Sequence, residues 1–429
     1  MVGFVRIWAV VDREKYMSIT TTMKIHVVKL KQATVITGLT VCGIMGSSAL
    51  MPANALTFKF TPTAGTSQLA IDGFTAAGSQ WSSLFSDNVN VNVNINFTAL
   101  GAGTLGETSS SSRSYGYDRV YNALSSDRTS ADDSTAVNSL SKGSTFNMLL
   151  NRTANSPNGA GNATPYLDNN GDVNNKTINI TTANAKALGL ESNGNNVDAS
   201  IAFSNLLTWD FNRSDGITTG AFDFVGTAIH EIGHALGFMS GVDILDGTNS
   251  TSYYPENQLD YVSPLDLFRY SNDSRNLKAI DWTADKLAKY FSIDGGVTNI
   301  AAFSTGDIFG DGRQNSHWQD NLGLGILDPT IAPGELLSIT ENDKRAFDVI
   351  GWNRTVSGAI ASNQLAAASD LNNSISAIAR AGTTAEPTSV PEPANSIGTL
   401  IFTAFGIKMV LKHRQNLLES TQQEAVEEI

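Results

Sequence analysis

Along residues 89 to 97 apolar and polar positions alternate without a break. Val89, Val91, Val93, Ile95 and Phe97 fall on one side and asparagines on the other. A period of two predicts a strand with one apolar and one wet face. Upstream, from Gln68 to Phe85, the apolar positions 71, 74, 77, 81, 84 and 85 have helical spacing and predict an amphipathic helix. "TINITT", 177 to 182, and "ASIAFS", 199 to 204, read as further strands. The Ser/Gly-rich stretch 101 to 114 reads as a loop. A helix is expected from Asp223 to Leu236, followed by a long Gly/Asp/Asn-rich region with few regular elements. The last helix follows Thr340, a candidate N-cap with Asp343 at the capping-box position, and stops at Gly351.

The two ends of the chain have different patterns. Lys24, Lys29 and Lys31 precede an apolar run, 33 to 50, and "ANA", Ala53 to Ala55. This is the order of a secretory signal with its cleavage site. Residues 1 to 22 fit no targeting pattern, and Met17 and Met23 are candidate starts. The expected organisation is an extension and signal over 1–55, a folded domain over 56–352 and a low-complexity linker over 353–389. "VPEP" at 390 to 393, an apolar run from Ile397 to Leu411 and the basic group Lys412, His413, Arg414 follow, with an acidic tail over 415–429.

Composition narrows the partners. The 429 residues carry a formal charge of −13 and no long basic stretch, which argues against nucleic acid. The single cysteine, Cys42, lies in the apolar run near the N-terminus. A disulfide within the chain and a thiolate metal site in the domain are therefore excluded.

The chemistry concentrates in "HEIGHALGFMSGVD", residues 230 to 243. His230 and His234 are i and i+4 on one helical face and can reach one metal ion. Glu231, at the edge of that face, is placed to take a proton from water on that metal. Gly237 is positioned to end the helix by a left-handed turn. Two histidines leave zinc one protein ligand short. Ser240, where a short version of the motif has its third histidine, is a poor ligand. The chain has five histidines; His26 lies in the signal and His413 in the terminal basic group, which leaves His317 as the candidate third ligand. Asp243 is the alternative.

"HEIGHALGF", a long insertion, "HW" at 317 and 318 and a tight turn resemble the leishmanolysin branch of the metzincin zinc proteases. The resemblance implies His230, His234 and His317 as ligands of one Zn2+, Glu231 as general base and Gly237 as turn glycine. "GILDP", 325 to 329, corresponds to the Met-turn, with Leu327 in place of methionine, and "AFDVIGW", 346 to 352, to the family's last helix. It implies a secreted endopeptidase with an α+β, zincin-like fold. That fold comprises an N-terminal twisted sheet with a backing helix and the active-site helix, then a mostly irregular C-terminal subdomain. Ser240, Leu327 and the C-terminal pattern also admit a surface or matrix binding protein on the same scaffold.

The C-terminus resembles the PEP-CTERM sorting signal of exported Gram-negative bacterial proteins, which implies an exosortase-like processing partner. Lys408 and the tail after Arg414 depart from that pattern. "DNNGD", 168 to 172, and "TGDIFGDG", 305 to 312, carry oxygen ligands suited to Ca2+ and are equally ordinary turn chemistry.

Overall fold

A computed structural model of the chain describes residues 2–9, 56–247 and 253–355. The expected signal, linker, sorting signal and tail lie outside the described residues, apart from Val2–Ala9 at the start of the chain and 353–355. Among the described residues no helix is long and apolar enough to cross a membrane.

The architecture is mixed α+β. In chain order the main elements are β1 (Val2–Ala9), β2 (Thr57–Pro62), α1 (Gln68–Leu84), β3 (Asn90–Thr98), β4 (Thr104–Gly116), α2 (Tyr117–Asp127) and α3 (Ala131–Ser139). They continue with β5 (Met148–Leu150), β6 (Tyr166–Asp168), β7 (Thr177–Thr181), α4 (Thr182–Ala187), β8 (Ala199–Ser204) and α5 (Phe224–Leu236). Then come α6 (Val242–Asp246), α7 (Asn272–Asn276) and α8 (Glu341–Val349).

The central sheet runs β2, β3, β8, β4, β1 and the short strand Thr330–Ile331. β2, β3 and β8 are parallel; β4 is antiparallel to β8 and β1 antiparallel to β4. β7 pairs with the far end of β4. The alternation in β3 works as the pattern predicts, with Val91, Val93 and Ile95 at 1 % exposure or less. α1 starts at Ser67, whose side chain accepts from the Ala70 N–H, and it buries Phe74, Ala77 and Trp81 against the core. Two aromatic groups fill the space between α1, α5 and the sheet. Phe74, Phe203, Trp209 and Phe224 pack at one end, and Trp81, Phe85, Phe347 and Trp352 at the other.

Two elements differ from expectation. The Ser/Gly-rich stretch expected to be a loop is the strand β4, paired to β8 from Gly106 to Ser110. Apart from Leu105 and Gly106, its buried positions are the hydroxyl residues Thr104, Thr108 and Ser110, not the apolar β-branched residues that mark a strand in sequence. Thr108 Oγ1 donates to the Glu231 carbonyl at 3.0 Å and Ser110 Oγ to the His234 carbonyl at 3.5 Å, so the strand's small polar side chains face the backbone of α5. The second difference is β1. Val2–Ala9 pairs with β4 from Val2↔Ser111 to Trp8↔Thr104 and runs parallel to Thr330–Ile331.

Beyond α5 the chain is built of short pieces. One small sheet joins Arg269–Tyr270, Lys289–Phe291 and Ala301–Phe303; another joins β5, β6 and Ile280–Asp281. α8 begins at the expected capping box, with Thr340 and Asp343 bonded reciprocally.

Candidate metal centre

α5 carries His230, Glu231 and His234 in a setting without solvent: all three are at 0 % exposure. The helix is fixed from both ends. Asp223 caps it by accepting from the Gly226 N–H at 2.8 Å and is paired with Arg213 at 2.9 Å. Two indoles donate to its carbonyls, Trp81 to Ile229 at 2.9 Å and Trp352 to Leu236 at 2.8 Å. Gly237 ends the helix at φ 117° and ψ 7°. A side chain there would be strained, and its Cβ would meet the Asn184 side chain at 3.1 Å. The turn brings the Phe238 carbonyl back to His234.

His317 arrives from the other side of the sequence. Its own carbonyl accepts from the Ser304 N–H at 3.0 Å, and the next residue, Trp318, donates its N–H to Leu327 O at 3.0 Å. The Trp318 indole donates to Asp343 at 2.8 Å, and Asp343 also accepts from Ile326 N–H at 2.9 Å and Thr340 N–H at 2.7 Å. One buried carboxylate at the start of α8 thus ties down both the His317 segment and the turn beneath the site. Burial raises its pKa to about 6.

The three imidazoles converge. His230 Nε2 lies 3.0 Å from His234 Nε2 and 3.3 Å from His317 Nε2. The ligand atoms of all three lie within 4.8 Å of one another, close enough to bind a metal ion. Each Nδ1 faces a backbone carbonyl: Ile326 O at 2.8 Å for His230, Phe238 O at 2.7 Å for His234 and Gln314 O at 3.3 Å for His317. A carbonyl can only accept, so each Nδ1 carries the proton and each Nε2 presents a lone pair. Three lone pairs at such distances repel one another unless a cation lies between them. Burial pushes the His230 pKa down to about 4 and those of His234 and His317 well below the ordinary value, so all three imidazoles are neutral at pH 7.

Glu231 lies against β4. Thr108 Oγ1 donates to its Oε2 at 2.6 Å as well as to its carbonyl. A Cβ at Gly106 would stand 2.8 Å from Glu231 Oε1 and 3.1 Å from the Phe203 ring. A side chain at 106 would push the carboxylate or the strand from its present place.

Asp243 does not join the imidazoles. One oxygen accepts from the Asn315 N–H at 2.6 Å and from Asn315 Nδ2 at 3.2 Å, and the other from Ser316 Oγ. Burial raises its pKa to about 6. Ser240 is likewise structural: its hydroxyl donates to Asp266 at 2.6 Å, and Asp266 also accepts from the N–H groups of Gly241 and Ser263, each at 2.8 Å. Leu327, at 0 % exposure, lies under the helix at Gly233, where a Cβ would meet its methyls at 3.2 and 3.3 Å. Leucine therefore fills the apolar floor between the two histidine turns. Gly106, Thr108 and Asp343 were the residues of the site that sequence alone did not single out for this role. Asp343 had a signal, the capping box, but its bonds to Trp318 and Ile326 are tertiary.

No protein-family model, no curated protein and no solved structure matches the chain.

Proposed function

We propose that the chain is an exported, zinc-dependent endopeptidase of metzincin type, with the leishmanolysin branch as the nearest pattern. The observation that carries this is the set of three converging, buried Nε2 lone pairs, two of them on the helix that carries Glu231. A tetrahedral zinc site with imidazole bonds of about 2.0–2.1 Å holds its nitrogens about 3.3 Å apart. Two of the three pairs, at 3.0 and 3.3 Å, are close to that spacing, and all three ligand atoms lie within 4.8 Å of one another. An all-imidazole donor set suits zinc rather than calcium or magnesium. His230, His234 and His317 would hold the ion, each oriented by the carbonyl on its Nδ1.

When bound, zinc supplies a Lewis acid that polarises a scissile carbonyl and acidifies water. Glu231 takes the proton from the attacking water and returns it to the leaving amine. The Thr108 hydroxyl holds Glu231 Oε2 in place for both transfers. Burial of the imidazoles excludes bulk water from the reacting atoms and keeps them unprotonated. An extended peptide taking the place of β1 on β4 would run past Gly106 and Thr108, the two positions that lie against Glu231. Val2–Ala9 of the chain itself takes that edge, with Ile7 opposite Gly106 and Val5 opposite Thr108.

The test is cleavage of a mixed peptide library by the zinc-loaded chain and by Glu231→Gln. Loss of about 10²–10⁴-fold in rate with zinc content unchanged is the expected result. Equal cleavage by the variant would overturn the role of Glu231. Zinc binding without cleavage of any peptide by the wild type would transfer the site to a binding protein.

A further inference from the structure

A cavity of about 180 Å3 lies between the far end of β4 and the chain that follows α5. Ser110 and Thr181 of the strands, Gly237 of the helix-ending turn, and Met239, Ile244 and Tyr261 line it. It adjoins two of the three imidazoles. Gln314, also in its wall, offers its carbonyl to His317 Nδ1, and Met239 follows Phe238, whose carbonyl faces His234 Nδ1. Pockets for drug-sized ligands begin at about 300 Å3. This smaller space suits one large side chain.

The register of β1 on β4 tells which part of a bound peptide meets the cavity. β1 is antiparallel to β4, with Gly3 opposite Ser110, Val5 opposite Thr108 and Ile7 opposite Gly106. Residues directly opposite each other in a sheet send their side chains to the same face. Thr108 and Ser110 share the face of β4 that is turned to α5. A peptide in the place of β1 therefore sends the side chain of its residue opposite Ser110 to the face on which Ser110 meets the cavity. Glu231 lies against Gly106 and Thr108. The residue opposite Ser110 thus stands two to four positions before the bond at Glu231, on its N-terminal side. β1 has a glycine there, so the chain's own strand brings no side chain to the cavity.

The lining decides which side chain fits. Its polar groups are already engaged. Ser240 Oγ donates to Asp266 at 2.6 Å, Ser263 Oγ donates to Met239 O, and Thr181 Oγ1 accepts from the Asn184 N–H at 3.2 Å. Among the described residues Asp243 is the one charged group in the wall, and its oxygens serve Asn315 and Ser316. With no Lys or Arg beside it there, it repels an acidic side chain. Met239, Ile244, Tyr261 and Pro264 remain as apolar wall. We infer that the cavity is a specificity subsite that takes one large apolar side chain, such as Leu or Phe, two to four residues before the cut. Main-chain pairing with β4 gives affinity, and the cavity gives selectivity. The inference rests on the peptidase reading of the metal centre.

Two measurements on the full zinc-loaded chain test it. The first is cleavage of peptides in which each position before the cut carries in turn Gly, Leu, Phe, Glu or Lys. At one position from the second to the fourth, Leu or Phe is expected to raise kcat/KM at least about tenfold over Gly, Glu and Lys. Ser112→Phe places an aromatic ring in the cavity wall and should abolish that preference; Met239→Ala widens the cavity and should move it from Leu toward Phe. Equal rates for all five residues at these positions would overturn the inference, as would a preference that neither variant alters. The second measurement needs no turnover. It follows the methyl resonance of Met239 in the Glu231→Gln chain, assigned with Met239→Leu. The Leu and Phe peptides are expected to shift it and the Gly peptide to leave it in place. Cleavage by the wild type without such a shift would overturn the subsite alone. A shift without any cleavage by the wild type would uphold the subsite and remove the peptidase reading.

Discussion

Asp243 holds Asn315 by a 2.6 Å bond from its backbone N–H, and Asn315 and Ser316 lead straight into His317. The residue that stood as an alternative metal ligand is thus the support of the histidine it would replace. Its carboxylate reaches across 72 residues of sequence to fix the approach of the third imidazole.

That relationship gives a first prediction. Asp243→Ala should leave the three imidazoles in the chain but loosen His317, and zinc affinity should fall by about 10–100-fold, as for other residues that orient a metal ligand. Competition with a chelator of known affinity measures it. Unchanged affinity would mean that the His317 segment holds its place without Asp243.

Gly106 gives the second. A methyl at 106 would stand 2.8 Å from Glu231 Oε1, so Gly106→Ala must displace the carboxylate or the strand. Peptide cleavage should fall by about 10²-fold, the cost of a misplacement of about 1 Å, while zinc stoichiometry stays at the wild-type value. A parallel loss of zinc would show that the whole helix has moved.

β1 gives the third. It fills the edge of β4 beside Glu231 and lies against α5. Deletion of residues 2–9 should raise cleavage of long peptides, because an incoming strand then meets an open edge. Val5→Pro should act in the same direction, since proline cannot donate to a ladder. Equal rates for the three forms would mean that β1 does not compete with substrate.

The fourth concerns pH. Asp127 and Asp348 are raised to about 7 and Asp87 to about 6, in each case chiefly by burial. They gather where α3 meets α8: Asn353 Nδ2 donates to Asp87 at 3.3 Å and to Asp127 at 2.9 Å, and Ser130 Oγ to Asp348 at 2.7 Å. With folded pKa values above the ordinary 3.8, the folded state keeps protons that the unfolded chain has lost. This contribution to stability is complete below about pH 4 and fades as pH rises through 7. The buried histidines have the opposite sign, but they act only below their ordinary value of 6.5. Between pH 6.5 and 8 the carboxylates therefore dominate. In metal-free buffer the melting temperature should fall from pH 6.5 to 8, and Asp348→Asn should flatten that slope. A slope unchanged in the variant would remove Asp348 from the account.

Much of the scaffold was legible because local pattern and burial agree. α1, β3, β7, β8, α5 and α8 lie within a few residues of where periodicity and capping put them. His317 was legible because histidine is scarce in the domain. β4 was not, since its inward positions are hydroxyls matched to the α5 backbone, and nothing in a Ser/Gly-rich string announces that partner. The roles of Asp243 and Asp343 depend on contacts between distant segments. Spacing along the chain carries no trace of these.

The most direct test of the central claim is zinc per chain, measured by elemental analysis on the full chain and on His317→Ala after dialysis. One zinc is expected in the wild type, and loss or severe weakening in the variant. Retention of zinc by His317→Ala, or no zinc in the wild type, would contradict it.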